Sequence, residues 1–252
     1  MTGGAGLPLL LVHGGMCTSQ RWGPLWSHLV EVHEVTVMDR RGRASSTDGD
    51  EYSLRAEIED VTAVVEQLVE RHASSVDVFG HSFGALCALG AAGGGSAVRR
   101  LALFEPPGPT TLPRDWLPRV RSMVERGELG RAMFSFLVEV VGLTAEEVER
   151  LRDSADGPDP LPIVARTLVR EAVVIRDLDV VSLCCGVTQP ALLLTGSASP
   201  PWAAEITRTV AAHLPHSMVV EVPDHGHEGV DTAAEAVAHQ VAAFMRVEDG
   251  RG

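Results

Sequence analysis

The feature that most restricts the fold is Gly80-His81-Ser82-Phe83-Gly84, set between a strand-like run at 76–79 and a stretch of small apolar residues at 84–92 that reads as a helix. A serine at a sharp strand-to-helix turn fits only if the residues two before and two after it are nearly free of side chain, because strand and helix approach closely there. Gly80 and Gly84 meet that condition. The turn then lifts the Ser82 hydroxyl above the sheet edge at the positive end of a helix, where the backbone N–H of Phe83 can receive an oxyanion. The pattern points to a nucleophilic serine.

Around this turn the chain alternates between strand and helix signals. Residues 9–12 form a short apolar run ended by His13-Gly14-Gly15, as in a strand buried on both faces. An amphipathic stretch at 22–29 precedes a second strand at 35–38, closed by Asp39 and the Arg- and Gly-rich segment 40–46. Residues 53–71 carry Leu54, Ile58, Val61, Val64, Val65, Leu68 and Val69 at helical spacing, with Ser53 placed as N-cap. A strand at 101–104 follows the small-residue helix, and strands at 191–195 and 218–222 alternate with helices at 202–213 and 232–245. Such alternation predicts an α/β fold: a mostly parallel sheet of about six strands with helices on both faces.

Between 106 and 186 the alternation stops. Pro106, Pro107, Pro109, Pro113 and Pro118 open a segment that is otherwise helical in character and has a turn-rich break at 156–160. An inserted helical cap is expected over 106–186, leaving 1–105 and 187–252 as the core domain.

Composition excludes several chemistries. The 252 residues contain no Lys and no Asn, so all 21 basic residues are Arg. A Schiff-base lysine, a phosphate-loop lysine and a Ser-Lys dyad are therefore impossible, as is N-glycosylation. The net charge of −13 makes nucleic acid a poor partner, since affinity for a polyanion comes from neutralising phosphates. Cys17, Cys87, Cys184 and Cys185 form no C-x-x-C, which suggests neither a disulfide framework nor a zinc cluster and fits a reducing, cytoplasmic location. The apolar run at 7–12 is too short for a membrane span or a signal segment and has no basic flank, so no membrane partner is expected.

The turn at Ser82, His13-Gly14-Gly15 after the first buried strand and Asp39-Arg40-Arg41-Gly42 together resemble the α/β-hydrolase superfamily, over nearly the whole chain. The resemblance implies an oxyanion hole formed by the N–H groups of Gly15 and Phe83. His13 and Asp39 are read as structural rather than catalytic, His13 packing its loop and Asp39, a strand-end carboxylate, holding the loop that follows it. The segment Pro223-Asp224-His225-Gly226-His227-Glu228-Gly229 resembles the family's loop for the catalytic base, with Asp224 in place of its first Gly, and the Gly-His pair selects His227 over His225. The usual acid position falls on Ser199, in Gly196-Ser197-Ala198-Ser199, and a serine cannot balance an imidazolium. A minority branch places the acid after the strand that follows the elbow helix, and that position holds Glu105. The implied constellation is Ser82, Glu105 and His227, in the family's order of nucleophile, acid and base.

These residues imply a serine hydrolase that cleaves an ester, lactone or thioester of a small, mostly apolar molecule through an acyl-enzyme, with no metal or organic cofactor. A serine at the elbow speaks against the relatives that use a carboxylate nucleophile. The missing Asn speaks against carbon-carbon hydrolases of ring-cleavage products. A non-hydrolytic cyclase or a ligand-binding receptor of the same fold is the alternative. Trp116, Met123, Met133, Phe134, Phe136 and Leu137 are candidates for the roof of the pocket, none assigned individually. The family's usual N-terminal strands have no counterpart before residue 7. Either a start lies upstream or the strand at 35–38 becomes an exposed edge, through which a homodimer could form.

Overall fold

Short apolar runs become the centre of the sheet. The computed structural model describes residues 1–49, 51–95, 97–153 and 160–246; the expected break at 156–160, apart from Pro160, and the end of the expected core domain at 247–252 lie outside them. In chain order the elements are β1 (Thr2–Gly3), β2 (Leu7–Val12), α1 (Gly23–Leu29), β3 (His33–Met38), α2 (Leu54–His72), β4 (Val76–His81), α3 (Phe83–Gly93) and β5 (Val98–Phe104). Helices α4 (Trp116–Glu125), α5 (Leu129–Phe136), α6 (Ala145–Asp153), α7 (Leu161–Ile163), α8 (Val169–Asp177) and α9 (Val180–Leu183) follow, with π-helical turns at Leu137–Val141 and Val164–Leu168. The chain closes with β6 (Ala191–Gly196), α10 (Pro201–His213), β7 (Ser217–Val222), α11 (Gly229–Thr232) and α12 (Ala234–Met245).

The sheet order is β1-β3-β2-β4-β5-β6-β7, parallel throughout except for β1. Successive side chains of a strand point to opposite faces, so Leu10 and Val12 pack toward α2 and α3 while Leu9 and Leu11 meet Trp22, Leu25 and Val241 on the α1 and α12 face. Ser53 caps α2 as expected, its side chain accepting from Ala56 N. A separate apolar cluster built on Trp116, Val120, Ala132, Val164 and Leu168 holds together the helices between β5 and β6. Among the described residues no helix is long and apolar enough to cross a membrane.

The structure corrects the N-terminal expectation. Seven strands are present among the described residues, not six, and the strand at 33–38 is not an edge. Thr2 and Gly3 pair antiparallel with Thr36 and Val35, and Val37 N donates to Met1 O at 3.1 Å. Gly4 and Gly6, at φ +88° and +129°, reverse the chain from β1 into β2, a conformation costly for any residue with a Cβ. A two-residue strand followed by glycines leaves no periodic signal. The edge that would have carried the expected dimer is partly occupied by the chain's own start.

Charge also ties the layers together. Arg40, fully buried after β3, donates through Nε and Nη2 to Glu57 of α2 at 3.2 and 2.7 Å, and through Nη2 to Glu171 of α8 at 2.6 Å. Arg43 Nη2 donates to the same Glu171 oxygen at 2.5 Å, and the Arg40 guanidinium lies 4.4 Å from the Phe83 ring centroid. Removing one member of a buried pair strands its partner's charge away from water. Glu57→Gln is therefore expected to cost about 3 kcal/mol, read as a lower urea midpoint with an unchanged slope, whereas Glu59→Gln on the exposed side of α2 leaves the midpoint where it is.

Candidate active site

Parallel strands bring their C-terminal ends to one edge of the sheet. Because β3 lies on one side of β2 and β4 on the other, while all three strands run parallel, the connections leave β2 in opposite directions and open a crevice above the ends of β2 and β4. The loop after β2 places Gly14 and Gly15 there, and the turn after β4 places Ser82 and Phe83. Ser82 sits at φ 53°, ψ −123°, a strained conformation held at both peptides: its N–H donates to Phe104 O and its carbonyl accepts from Ala85 N, each at 2.8 Å. Met16 at φ 55° and Glu105 at φ 45° are strained at the same edge. A Cβ on Gly80 would stand 2.6 Å from Ala85 Cα, and one on Gly84 would be driven into the carbonyl oxygens of Val12 and His13.

Glu105 leaves the end of β5 fully buried and meets the imidazole of His227, which is itself almost fully buried, in a 2.6 Å hydrogen bond between Nδ1 and Oε2. The other carboxylate oxygen accepts from Thr195 Oγ1 at 3.0 Å, Gly196 N at 2.7 Å and Ser199 Oγ at 2.5 Å. Burial opposes ionisation of Glu105, but His227 and the donors Ser199 and Gly196 outweigh it and hold the carboxyl below its ordinary range. Trp202 meets the His227 ring edge-on, centroids 5.3 Å apart.

Two further histidines are kept neutral. Burial, followed by the charge of Arg21, pushes His81 well below the usual histidine range, and its Nε2–H donates to His227 O at 3.1 Å. Burial and the charge of Arg40 do the same to His13, whose Nδ1–H donates to Gly14 O at 2.9 Å while Nε2 accepts from Arg40 N at 3.1 Å. On the far side, Arg21 binds Glu228 at 2.5 Å and Asp231 at 2.7 Å, pinning the loop that carries His227.

Ser82, His227, Gly15 and Phe83 line one narrow cavity, walled by Met16, Leu112, Phe136, Val140, Leu168 and Trp202 among others. The backbone N–H groups of Gly15 and Phe83 donate no hydrogen bond among the described residues. No group of three or more His, Cys, Asp or Glu side chains is placed to hold a metal ion among those residues.

A family model described as the alpha/beta hydrolase family matches residues 9–240. The chain belongs to the alpha/beta hydrolase family. It is similar to an alpha/beta hydrolase from Sphaerobacter thermophilus, with 29% identity, coverage of 97% of this chain and 95% of that one, and a TM-score of 0.82. Two further structures share the fold: an enol-lactonase from Burkholderia xenovorans (19% identity, 98% and 95% coverage, TM-score 0.78) and a thermophilic esterase from Thermogutta terrifontis (22%, 98% and 92%, 0.74). No curated protein sequence matches the chain.

As an alpha/beta hydrolase the protein is a hydrolytic enzyme, and its residues can be set against the expectations. Glu105 and His227 meet directly, and both Ser82 and His227 face the cavity. His225 is turned away, its Nδ1 sharing a hydrogen bond with Thr232 Oγ1 at 2.9 Å. The carboxylate of Asp39 accepts from Ser19 N at 2.7 Å, in the preceding loop, while its backbone carbonyl accepts from Ser46 Oγ at 2.7 Å, in the following one. Of the six apolar candidates for the roof, Phe136 lines the cavity, while Trp116, Met123 and Met133 pack in the cluster behind it.

Sequence reasoning did not find His81, Thr195 or Glu171. It treated Ser199 as a vacancy, yet its hydroxyl holds Glu105 in place. The available signal was the serine itself, since a donor at the empty acid position suits a carboxylate arriving from next door. Gly84→Ala tests the close approach on which the site is built. It is expected to cost at least about 3 kcal/mol or to prevent soluble expression, because the backbone carbonyls it meets cannot move aside.

Proposed function

We propose that the protein is a serine hydrolase that cleaves an ester, lactone or thioester bond of a small, mostly apolar substrate. The observation that carries this reading is the buried 2.6 Å bond between His227 Nδ1 and Glu105 Oε2 on a histidine that shares a cavity with Ser82. With Nδ1–H committed to the carboxylate, Nε2 is the free nitrogen and acts as the base. His227 takes the Ser82 proton, and Ser82 Oγ attacks the carbonyl carbon. The oxyanion is received by Gly15 and Phe83 N–H, at the positive end of α3. The proton passes from His227 to the leaving group, water deprotonated by His227 attacks the acyl-enzyme, and Ser82 recovers its proton. Residues 106–186 act as a cap whose apolar inner wall selects the acyl chain.

Labelling with a fluorophosphonate is expected to mark Ser82 and to fail in Ser82→Ala, and short p-nitrophenyl esters are expected to be turned over. Glu105→Gln keeps the shape of the pair but removes the charge that balances the imidazolium, so kcat is expected to fall by about 10³- to 10⁴-fold. No labelling together with no ester turnover would overturn the hydrolase reading and favour the ligand-binding alternative. If Glu105→Gln kept most of the activity, the acid would be misassigned.

The lowered pKa of Glu105 fixes the sign of a pH effect. Its stabilising contribution is present above the unfolded glutamate's value and is lost as pH falls through the lower folded value. The carboxylate thus stays ionised across the whole range in which an unperturbed histidine titrates. The acid limb of kcat/KM is expected to show the loss of a single proton, with unit slope. A limb of slope two would mean that the carboxyl takes up its proton in the same range.

A further inference from the structure

The apolar wall of the cavity is interrupted by a carboxylate, Glu171 on α8. Its two oxygens are used unequally. Oε1 accepts from Arg40 Nη2 at 2.6 Å and from Arg43 Nη2 at 2.5 Å. Oε2 accepts no hydrogen bond among the described residues, yet it is not sealed from solvent, and the open side of this buried residue is the cavity it lines. A glutamate serving only as counter-ion to two guanidiniums gains most by offering both oxygens to their forked donors. Here both guanidiniums converge on one oxygen and the other is left facing apolar side chains, where an acceptor without a donor is costly.

The position of Oε2 locates its use. A Cβ on Gly15 would stand 3.1 Å from it, so the free oxygen lies beside the glycine whose N–H faces the reacting carbonyl in the proposed mechanism. Arg40, Arg43, Glu57 and Glu171 carry no net charge between them, so the cluster has no surplus negative charge to pair with a cation. What the site lacks is a neutral hydrogen-bond donor.

We propose that Glu171 is a specificity-determining residue whose Oε2 accepts a hydrogen bond from a hydroxyl carried on the acyl chain, at carbon 2 or 3, a few bonds from the carbonyl under attack. The assignment rests on the serine-hydrolase reading above and narrows its substrate class to hydroxyacyl esters, lactones or thioesters.

Isosteric p-nitrophenyl esters test it: 3-hydroxybutanoate, which donates, 3-methylbutanoate, which does neither, and 3-oxobutanoate, which only accepts, with the same three substitutions at carbon 2 of propanoate. Each kcat/KM is divided by the ester's rate of alkaline hydrolysis to remove intrinsic reactivity. In one series the wild-type enzyme is expected to favour the hydroxy ester over the methyl ester by about tenfold or more, because a site built to receive a donor rejects the analogue without one. In Glu171→Gln the amide oxygen turns to the two arginines and its NH2 group faces the cavity. The hydroxy-to-oxo ratio is then expected to shift toward the oxo ester by about tenfold, whereas a merely structural role lowers all esters alike. If that variant does not fold, the wild-type ranking decides. Equal normalised rates for hydroxy and methyl esters in both series, with Ser82 labelled normally, would overturn the inference and leave the hydrolase reading standing. Absence of labelling and of all turnover would remove both.

Discussion

The site depends on how closely α3 packs against the ends of β2 and β4. Gly84 lies against the carbonyls of Val12 and His13, and a Cβ on Gly14 would stand 2.8 Å from His81 Nδ1 and 3.0 Å from Ser82 Cβ. With no side chain in the gap, residues 14–15 and 82–83 are forced side by side, so that two loops far apart in the chain present their peptide N–H groups to one cavity. The same approach leaves Ser82 no relaxed backbone conformation, and the strain is tolerated because hydrogen bonds fix the peptides on both sides of it. Met16 and Glu105 stand at positive φ at the same strand ends.

The carboxylate shows how a sheet can supply a group from either of two neighbouring strands. β5 and β6 run parallel in register, Phe104 opposite Leu194, so residues just past their ends stand next to one another. Glu105, one methylene longer than an aspartate, reaches from β5 to the imidazole, while Thr195, Gly196 and Ser199 at the end of β6 supply donors rather than charge. The arrangement keeps one ionised carboxylate at the imidazole and satisfies its second oxygen, as a buried charge requires. His81 completes it from below: a neutral ring that donates to the His227 carbonyl fixes the loop without adding a charge that would compete for Glu105.

Much of this was legible because the elbow and the buried strands are local patterns set by backbone sterics and burial, and the Gly-His loop was legible through the family resemblance. Glu105, which the structure places against His227, was legible through the resemblance to a branch of the family that carries its acid after this strand. The rest was illegible for identifiable reasons. β1 is two residues long and has no periodicity. The helices between β5 and β6 are amphipathic, and periodicity tells that one face is buried without telling whether it is buried against other helices of that segment, as for Trp116, or over the cavity, as for Phe136. Arg40 and Glu171 are 131 positions apart, and nothing local marks either as half of a buried pair.

That pair sets the mechanics of the cavity. Lifting α8 from the sheet would separate Arg40 and Arg43 from Glu171, all three buried, at several kcal/mol for each charge left without its partner. Arg170 on the same helix adds an outer link to Asp48 at 2.7 Å and lies over the Tyr52 ring. The opposite wall at Leu137–Val141 is tied to α10 by Trp202 Nε1 donating to Val140 O at 2.9 Å, a bond worth about 1 kcal/mol net. The two sides of the cavity are therefore held differently: α8, which carries Glu171, by buried charge, and the side of Phe136 and Val140 by the Trp202 hydrogen bond and apolar packing.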